Sequence, residues 1–362
     1  MRLSIDCRMW NSGGIGTYLR NLVPELITLL PNYKLFLLGN NQNLKTLEIE
    51  NKNVEIIECN SPIYSILEQY ELFRKIPKCD IFFSPQYNIP LLYRGIQVTT
   101  IHDIFHIADE NKDQSFIKNI YAKTMLSVAM RKSKIVFSDS NYTLSEMKKY
   151  NLPCLEKVKI IYLSHNLENN KFIKNNIEKK NSHILFVGNI KPHKNLRRLV
   201  EAYKILNTKY KISLQLIIVG DSENFISGIP GFKEEITNSY WNKMVKFTGK
   251  ISDEELIEYY QNATLLVLPS LYEGFGLPPL EAMACGCPVV VSNAASLTEI
   301  CDDAALYCDP YNIEDIAKKM NEIIVDSELR DRLIEKGFKQ VKKFNWRKTA
   351  TTFVETLEEV LN

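Results

Sequence analysis

The chain has 362 residues, 45% of them hydrophobic and 24% charged, with a formal net charge of +2. That length exceeds what one hydrophobic core usually sustains, so two domains are expected, and the ordinary composition excludes a disordered or low-complexity chain. Residues 1–165 carry 20 Lys and Arg against 16 Asp and Glu, a margin too small to argue for a nucleic-acid partner. The eight cysteines, with no CxxC and no zinc-finger spacing, read as small buried hydrophobes in a reducing compartment.

Met1-Arg2-Leu3 leads straight into a polar segment rather than a signal-peptide apolar region, and no stretch approaches the ~20 apolar residues of a membrane span. A cytoplasmic protein is expected. Short apolar runs ending in Gly, Asp, Ser or His then alternate with segments of helical period, the pattern of a parallel sheet with crossover helices. In the first half, strands are predicted over 3–6, 35–38, 54–57, 81–84, 98–102, 135–138 and 158–161, with helices between several of them, notably 16–30 and 117–131. The Asn/Lys-rich stretch 166–181 interrupts the pattern and reads as a linker. A second set follows, with strands over 184–187, 214–219, 245–248, 265–268, 289–292 and 305–307. Two α/β units joined by one linker are expected to enclose a cleft between their strand C-termini, where open parallel sheets bind ligands.

The first strand-to-helix turn carries Gly13, Gly14 and Gly16. Glycines there let the backbone approach a ligand, and the following helix N-terminus favours an anion such as a diphosphate. A tight turn with no ligand explains the same glycines. A dinucleotide site needs a third glycine and an acidic residue about 20 positions on. Here Leu19 stands at the third glycine's place and the second strand ends Leu38-Gly39-Asn40, without a carboxylate.

The most informative segment is Glu273-Gly274-Phe275-Gly276-Leu277-Pro278-Pro279-Leu280-Glu281, which follows a predicted strand and opens a helix with prolines near its first turn. Glycine amides between two carboxylates supply donors for phosphate and acceptors for sugar hydroxyls, and Glu281, about two turns along the helix, can reach a ribose. This segment resembles the E-x7-E signature of retaining GT-B glycosyltransferases of family four, also described as glycosyl transferases group 1. The continuation from Ser292 to Leu306 is similar to the bacterial mannosyl- and rhamnosyltransferase branch that builds surface glycans. The resemblance runs from Ile5-Asp6-Cys7-Arg8 to Phe344-Asn345-Trp346.

The resemblance implies an α/β chain of GT-B fold, two facing Rossmann-like domains with a cleft between them. Residues 1–165 would form the acceptor-side domain, joined by a C-terminal helix over 346–362. Residues 182–345 would form the nucleotide-sugar-binding domain. Gly188-Asn189-Ile190-Lys191-Pro192-His193-Lys194 resembles the family's phosphate-binding turn, with Lys194 at the lysine position and Asn189 where many relatives have arginine. Lys191 or His193 could substitute for that missing cation. His102 resembles the family's cleft histidine beside the transferred sugar. Gly249 to Ile251 fits the backbone that contacts the nucleobase.

Catalysis is then implied for His102, Glu273 and Lys194, and donor binding for Gly14, Gly16, Gly188, Asn189, Lys194, Gly249, Ile251, Glu273, Gly274, Phe275, Gly276, Leu277 and Glu281. The implied reaction moves a hexosyl unit, with GDP-mannose favoured as donor, to a saccharide or polyprenyl-diphosphate-linked saccharide. The nucleotide sugar is a substrate, and neither cofactor nor metal is expected; no D-x-D stands near a strand end. Weak peripheral contact at the inner face of the cell membrane is expected through the apolar-basic segment 117–134. A solvated helix face is the simpler explanation of its charges. The other reading is a catalytically silent nucleotide-sugar-binding partner in a glycan assembly complex; an epimerase or phosphorylase fits the continuation after Glu281 less well.

Overall fold

The computed structural model describes residues 1–47, 51–108, 116–165, 182–220 and 231–361. The linker predicted over 166–181 lies outside them. The chain divides into two compact units, Met1–Leu163 with Asn345–Asn362, and Ser164–Phe344.

The first unit is built on seven parallel strands in the order β3-β2-β1-β4-β5-β6-β7. They are β1 (Arg2–Asp6), β2 (Lys34–Gly39), β3 (Val54–Glu58), β4 (Ile81–Ser84), β5 (Gln97–Ile101), β6 (Ile135–Ser138) and β7 (Val158–Ile160). Central strands are covered on both faces, which is why β4 reads Ile-Phe-Phe-Ser with every residue buried. Register follows from apolar pairing: Leu3 lies beside Leu35 on one side and Ile81 on the other.

The helix Gly13–Leu29 follows β1 and starts three residues earlier than its periodicity predicts. The glycines expected in a turn therefore form its first turn. The last helix, Trp346–Leu361, belongs to this unit: Trp346, Ala350, Phe353 and Leu357 are buried, and Phe353 meets the rings of Phe83 and Phe137 at 4.8 and 4.6 Å.

The second unit has six parallel strands in the order β10-β9-β8-β11-β12-β13. They are β8 (His183–Val187), β9 (Gln215–Val219), β10 (Val245–Gly249), β11 (Ala263–Leu268), β12 (Val289–Ser292) and β13 (Ala305–Cys308). β8 and β11 are buried along their whole length. Among the described residues no helix is long and apolar enough to cross a membrane.

Candidate active site

In the second sheet, growth reverses between β8 and β11: β9 and β10 lie outside β8, and β12 and β13 outside β11. Loops leaving two such strands diverge and open a crevice at their C-terminal ends. The loops concerned are 188–195 after β8 and 269–276 after β11.

Gly188 leaves β8 with φ +150° and Gly220 leaves β9 with φ +154°. A Cβ on Gly220 would lie 2.1 Å from the Gly188 carbonyl oxygen, so only glycine lets these strand ends run so close. Gly249 ends β10 with φ +75°, and its carbonyl accepts from the Gly220 amide at 3.2 Å. Gly188 and Gly249 are thus joined through a glycine that motif reading overlooked.

After Gly188, Pro192–Lys194 makes one tight helical turn, and left-handed Asn195 begins the helix Leu196–Thr208. The Asn195 side chain donates to the carbonyls of Pro269 at 2.9 Å and Pro310 at 2.6 Å. The Leu271 amide donates to the His193 carbonyl at 2.7 Å. These bonds stitch the two loops side by side. As a result Lys194 Nζ donates to both carboxylate oxygens of Glu273, at 2.6 and 2.9 Å, with the two side chains only 15% and 10% exposed. Asn189 is exposed, and Lys191 and His193 are half-buried in the same turn.

The loop carrying Glu273 is held from the far side. Ser296 Oγ donates to the carbonyls of Glu273 at 3.0 Å and Phe275 at 2.7 Å. Phe275 is buried against Phe344, and Gly276 turns the chain with φ +112° where a Cβ would meet Leu297 Cδ2 at 2.8 Å. The helix Leu277–Ala284 starts there, with prolines in its first turn. Leu277 and Gly274 are half-buried at the crevice end of this segment.

Glu281, on that helix, accepts from the Tyr260 hydroxyl at 2.9 Å. Burial pushes its carboxyl up to about 7, against the pull of the Tyr260 hydrogen bond and with a contribution from Asp253. Tyr260 sits on the helix Asp253–Asn262, which begins with a reciprocal Ser252–Glu255 cap. Ile251 is half-buried just before that cap. The second sheet therefore gathers Gly188, Lys194, Gly249, Glu273, Phe275 and Gly276 at one edge, with Glu281 further along its helix.

Gly14, Gly16 and His102 belong to the first unit. Gly14 is exposed with open space where a Cβ would be, whereas a Cβ on buried Gly16 would lie 2.5 Å from the Trp10 carbonyl oxygen. Gly16 thus has a packing reason to be glycine. His102 falls one residue beyond β5. Its Nδ1 bonds Asp139 at 2.6 Å, its Nε2 faces the Pro85 carbonyl at 3.0 Å, and the Tyr18 ring packs edge-on at 4.9 Å. Burial opposes a charged ring, but the Asp139 carboxylate, with smaller help from the Asp103 charge and the Pro85 carbonyl, holds the imidazole above the usual histidine range. Asp139, beyond the end of β6, was not singled out by motif reading; its only sequence signal is a carboxylate just past a strand end.

Residues 168–340 match the family Glycosyl transferases group 1. This chain carries a glycosyl transferases group 1 domain. The group 1 domain holds Gly188, Lys194, Glu273 and Glu281. Over 289 residues the chain is 29% identical to O-antigen chain mannosyltransferase B of Escherichia coli, covering 75% of this chain and 72% of that protein. It is 31% identical over 252 residues to O-antigen chain mannosyltransferase RfbU of Salmonella typhimurium, covering 68% and 66% of the two. Among solved structures, HepE of Anabaena in complex with UDP-glucose is similar with a TM-score of 0.77 at 18% identity, over 99% of this chain and 100% of that one. A sucrose-phosphate synthase of Thermosynechococcus elongatus gives the same TM-score and identity over 99% of both chains. At that identity the likeness is one of fold, the GT-B class of two Rossmann-like parallel-sheet units, and the group 1 domain falls within the second of them.

Proposed function

We propose that this glycosyltransferase transfers a hexosyl unit with retention, from GDP-mannose in preference to UDP- or dTDP-sugars, to a saccharide or polyprenyl-diphosphate-linked saccharide in surface polysaccharide synthesis. The observation that carries the reading is the Lys194–Glu273 pair at the reversal point of the second sheet. A cation and a carboxylate held together there are the two groups a nucleotide-diphosphate sugar needs. Lys194 can exchange one carboxylate oxygen for a diphosphate oxygen, freeing Glu273 to accept from sugar hydroxyls. Charge developing on the leaving diphosphate is then stabilised by Lys194 and by amides of 274–277, which is electrostatic catalysis. The leaving phosphate takes the proton of the acceptor hydroxyl, so no protein nucleophile is required. His102 is assigned to sugar orientation by the family resemblance alone. The mannosyltransferase names of the Escherichia coli and Salmonella relatives support the mannose donor.

The deciding experiment is transfer by the purified protein from GDP-, UDP- and dTDP-sugars to a polyprenyl-diphosphate-linked acceptor, with the anomeric configuration of the product read by NMR. A retained configuration with GDP-mannose is expected. An inverted product, or activity lost with EDTA and restored by manganese, would sink the reading. Binding of a nucleotide sugar without transfer to any acceptor would favour the silent partner, the reading to which exposed Asn189, in place of the family's arginine, lends support.

Peripheral membrane contact is proposed on the first unit. Ile120 and Tyr121 are exposed on the helix Phe116–Lys132, and the helix Ile66–Lys75 turns Ile66, Leu67, Tyr70 and Phe73 outward with Arg74 and Lys75 in its last turn. Apolar and cationic side chains on one surface suit an anionic bilayer. Co-sedimentation with phosphatidylglycerol vesicles, lost on Leu67→Glu with Phe73→Glu, is the expected result; binding unchanged by both substitutions would remove this surface.

A further inference from the structure

Tyr260 is fully buried, and its hydroxyl donates to Glu281 Oε2 at 2.9 Å. A buried hydroxyl without an acceptor carries a desolvation cost, and phenylalanine would fill almost the same volume. The other fully buried tyrosine of this unit, Tyr203, donates to the carbonyls of Leu214 and Met244 and so serves the backbone. Tyr260 instead donates to a side chain that lies on the helix opened by the Glu273 loop. Among the described residues no cation acts on Glu281. Among the described residues Tyr260 is its hydrogen-bond donor, and Oε1 is left without a partner on a side chain not sealed from solvent.

We propose that Tyr260 is the positioning residue for Glu281: by holding Oε2 it fixes the carboxyl plane so that Oε1 faces the vicinal hydroxyls of a ribose. The inference rests on the reading of Glu281 as the acceptor for a nucleotide's ribose. Two hydroxyl donors are best received by an ionised carboxylate, which is acceptor only. Beside burial, the groups that act on this carboxyl are Tyr260 and Asp253, both on the helix Asp253–Asn262, and the Cys285 and Cys287 thiols face Tyr260 itself. Tyr260 favours the ionised form and Asp253 disfavours it. Removing the hydroxyl therefore both frees the carboxyl to rotate and makes it harder to ionise.

Two measurements on Tyr260→Phe, which keeps the ring, test the proposal. The first needs no ligand. The Glu281 carboxyl is titrated by infrared difference spectroscopy against Glu281→Gln, and its midpoint is expected to rise by about half a unit or more in Tyr260→Phe. An unmoved midpoint overturns the proposal. The second compares calorimetric affinity for GDP and UDP with that for their 2′,3′-dideoxy analogues at pH 7 and pH 9. Tyr260→Phe is expected to weaken the ribonucleotides about fivefold to tenfold at pH 7, less at pH 9, and to leave the dideoxy analogues unchanged. Equal weakening of both classes, or none, overturns it. If the wild type bound no nucleotide, the nucleotide-sugar reading would fail, while the ligand-free titration would still decide the role of Tyr260.

Discussion

Lys194 and Glu273 are each other's nearest charge, and each loses something when the other is cut away. Lys194→Ala should leave a largely desolvated carboxylate without its cation, at about 3 kcal/mol in urea unfolding, and should lower transfer at least about a hundredfold. Adding Glu273→Ala is expected to recover part of the stability and none of the activity. A single Lys194→Ala variant with near-normal turnover would end its assigned role. Glu281 gives a second, signed expectation. Its folded-state value of about 7 stands above the ordinary 4.5, so between those values the unfolded chain has released a proton that the folded one keeps. Stability must fall as pH rises through that window. Glu281→Gln removes the effect and should stabilise the ligand-free protein at pH 8 by about 3 kcal/mol while weakening nucleotide binding. For His102 the sign follows from the opposite charge type: its raised value gives stability that is full below the unfolded-state value and is lost as pH climbs through the folded one. Asp139→Asn removes the largest opposition to burial and leaves only the Asp103 charge and the Pro85 carbonyl, so an NMR titration should then find the imidazole lowered from its wild-type value.

Glycines make the sharpest contrasts between elements. Gly16→Ala puts a methyl against the Trp10 carbonyl and should disturb the start of the helix Gly13–Leu29, whereas Gly14→Ala meets open space and should leave stability within about 0.5 kcal/mol. Gly220→Ala is expected to be worse than either, because φ +154° and the Gly188 carbonyl both exclude a side chain. It should shift the 188–195 turn and lower nucleotide binding at a site it never touches; unchanged binding would show that the turn is held from elsewhere. Periodicity could not separate these glycines, since whether a Cβ has room depends on the chain across the turn. Strands were far more legible. A parallel strand buried on both faces is a continuous apolar run, so β6 and β12 show their ends in the sequence. Helix starts were less so: Gly13 to Gly16 read as a turn because glycine is a weak helix former, while packing of Tyr18, Leu19, Leu22 and Leu26 carries the helix back over them.

Across the whole molecule, the C-terminal segment completes a core whose other members lie more than two hundred residues away. A chain ending at residue 345 would lose the buried side chains of Trp346, Ala350, Phe353 and Leu357, Phe353 from beside Phe83 and Phe137 and Trp346 from beside Tyr18. Each large side chain removed from a core is worth about 3 kcal/mol. Calorimetry of that truncation should show the first unit's transition lowered or gone, with nucleotide-induced stabilisation of the second unit retained.

The sequence by itself determined what is local. Alternating apolar runs and helical periods specify parallel α/β units because each strand and helix must bury its own apolar atoms, and the run from Glu273 to Glu281 places two carboxylates on one loop and helix. Tertiary structure alone decided the partners. Lys194 finds Glu273 across 79 positions, His102 finds Asp139 across 37, and Tyr260 finds Glu281 across 21. The physical reason is strand order. Which loop ends lie side by side is set by how the sheet is laid out, and with β8 beside β11 the cation of one loop meets the carboxylate of the other, although neither residue carries any sign of its partner.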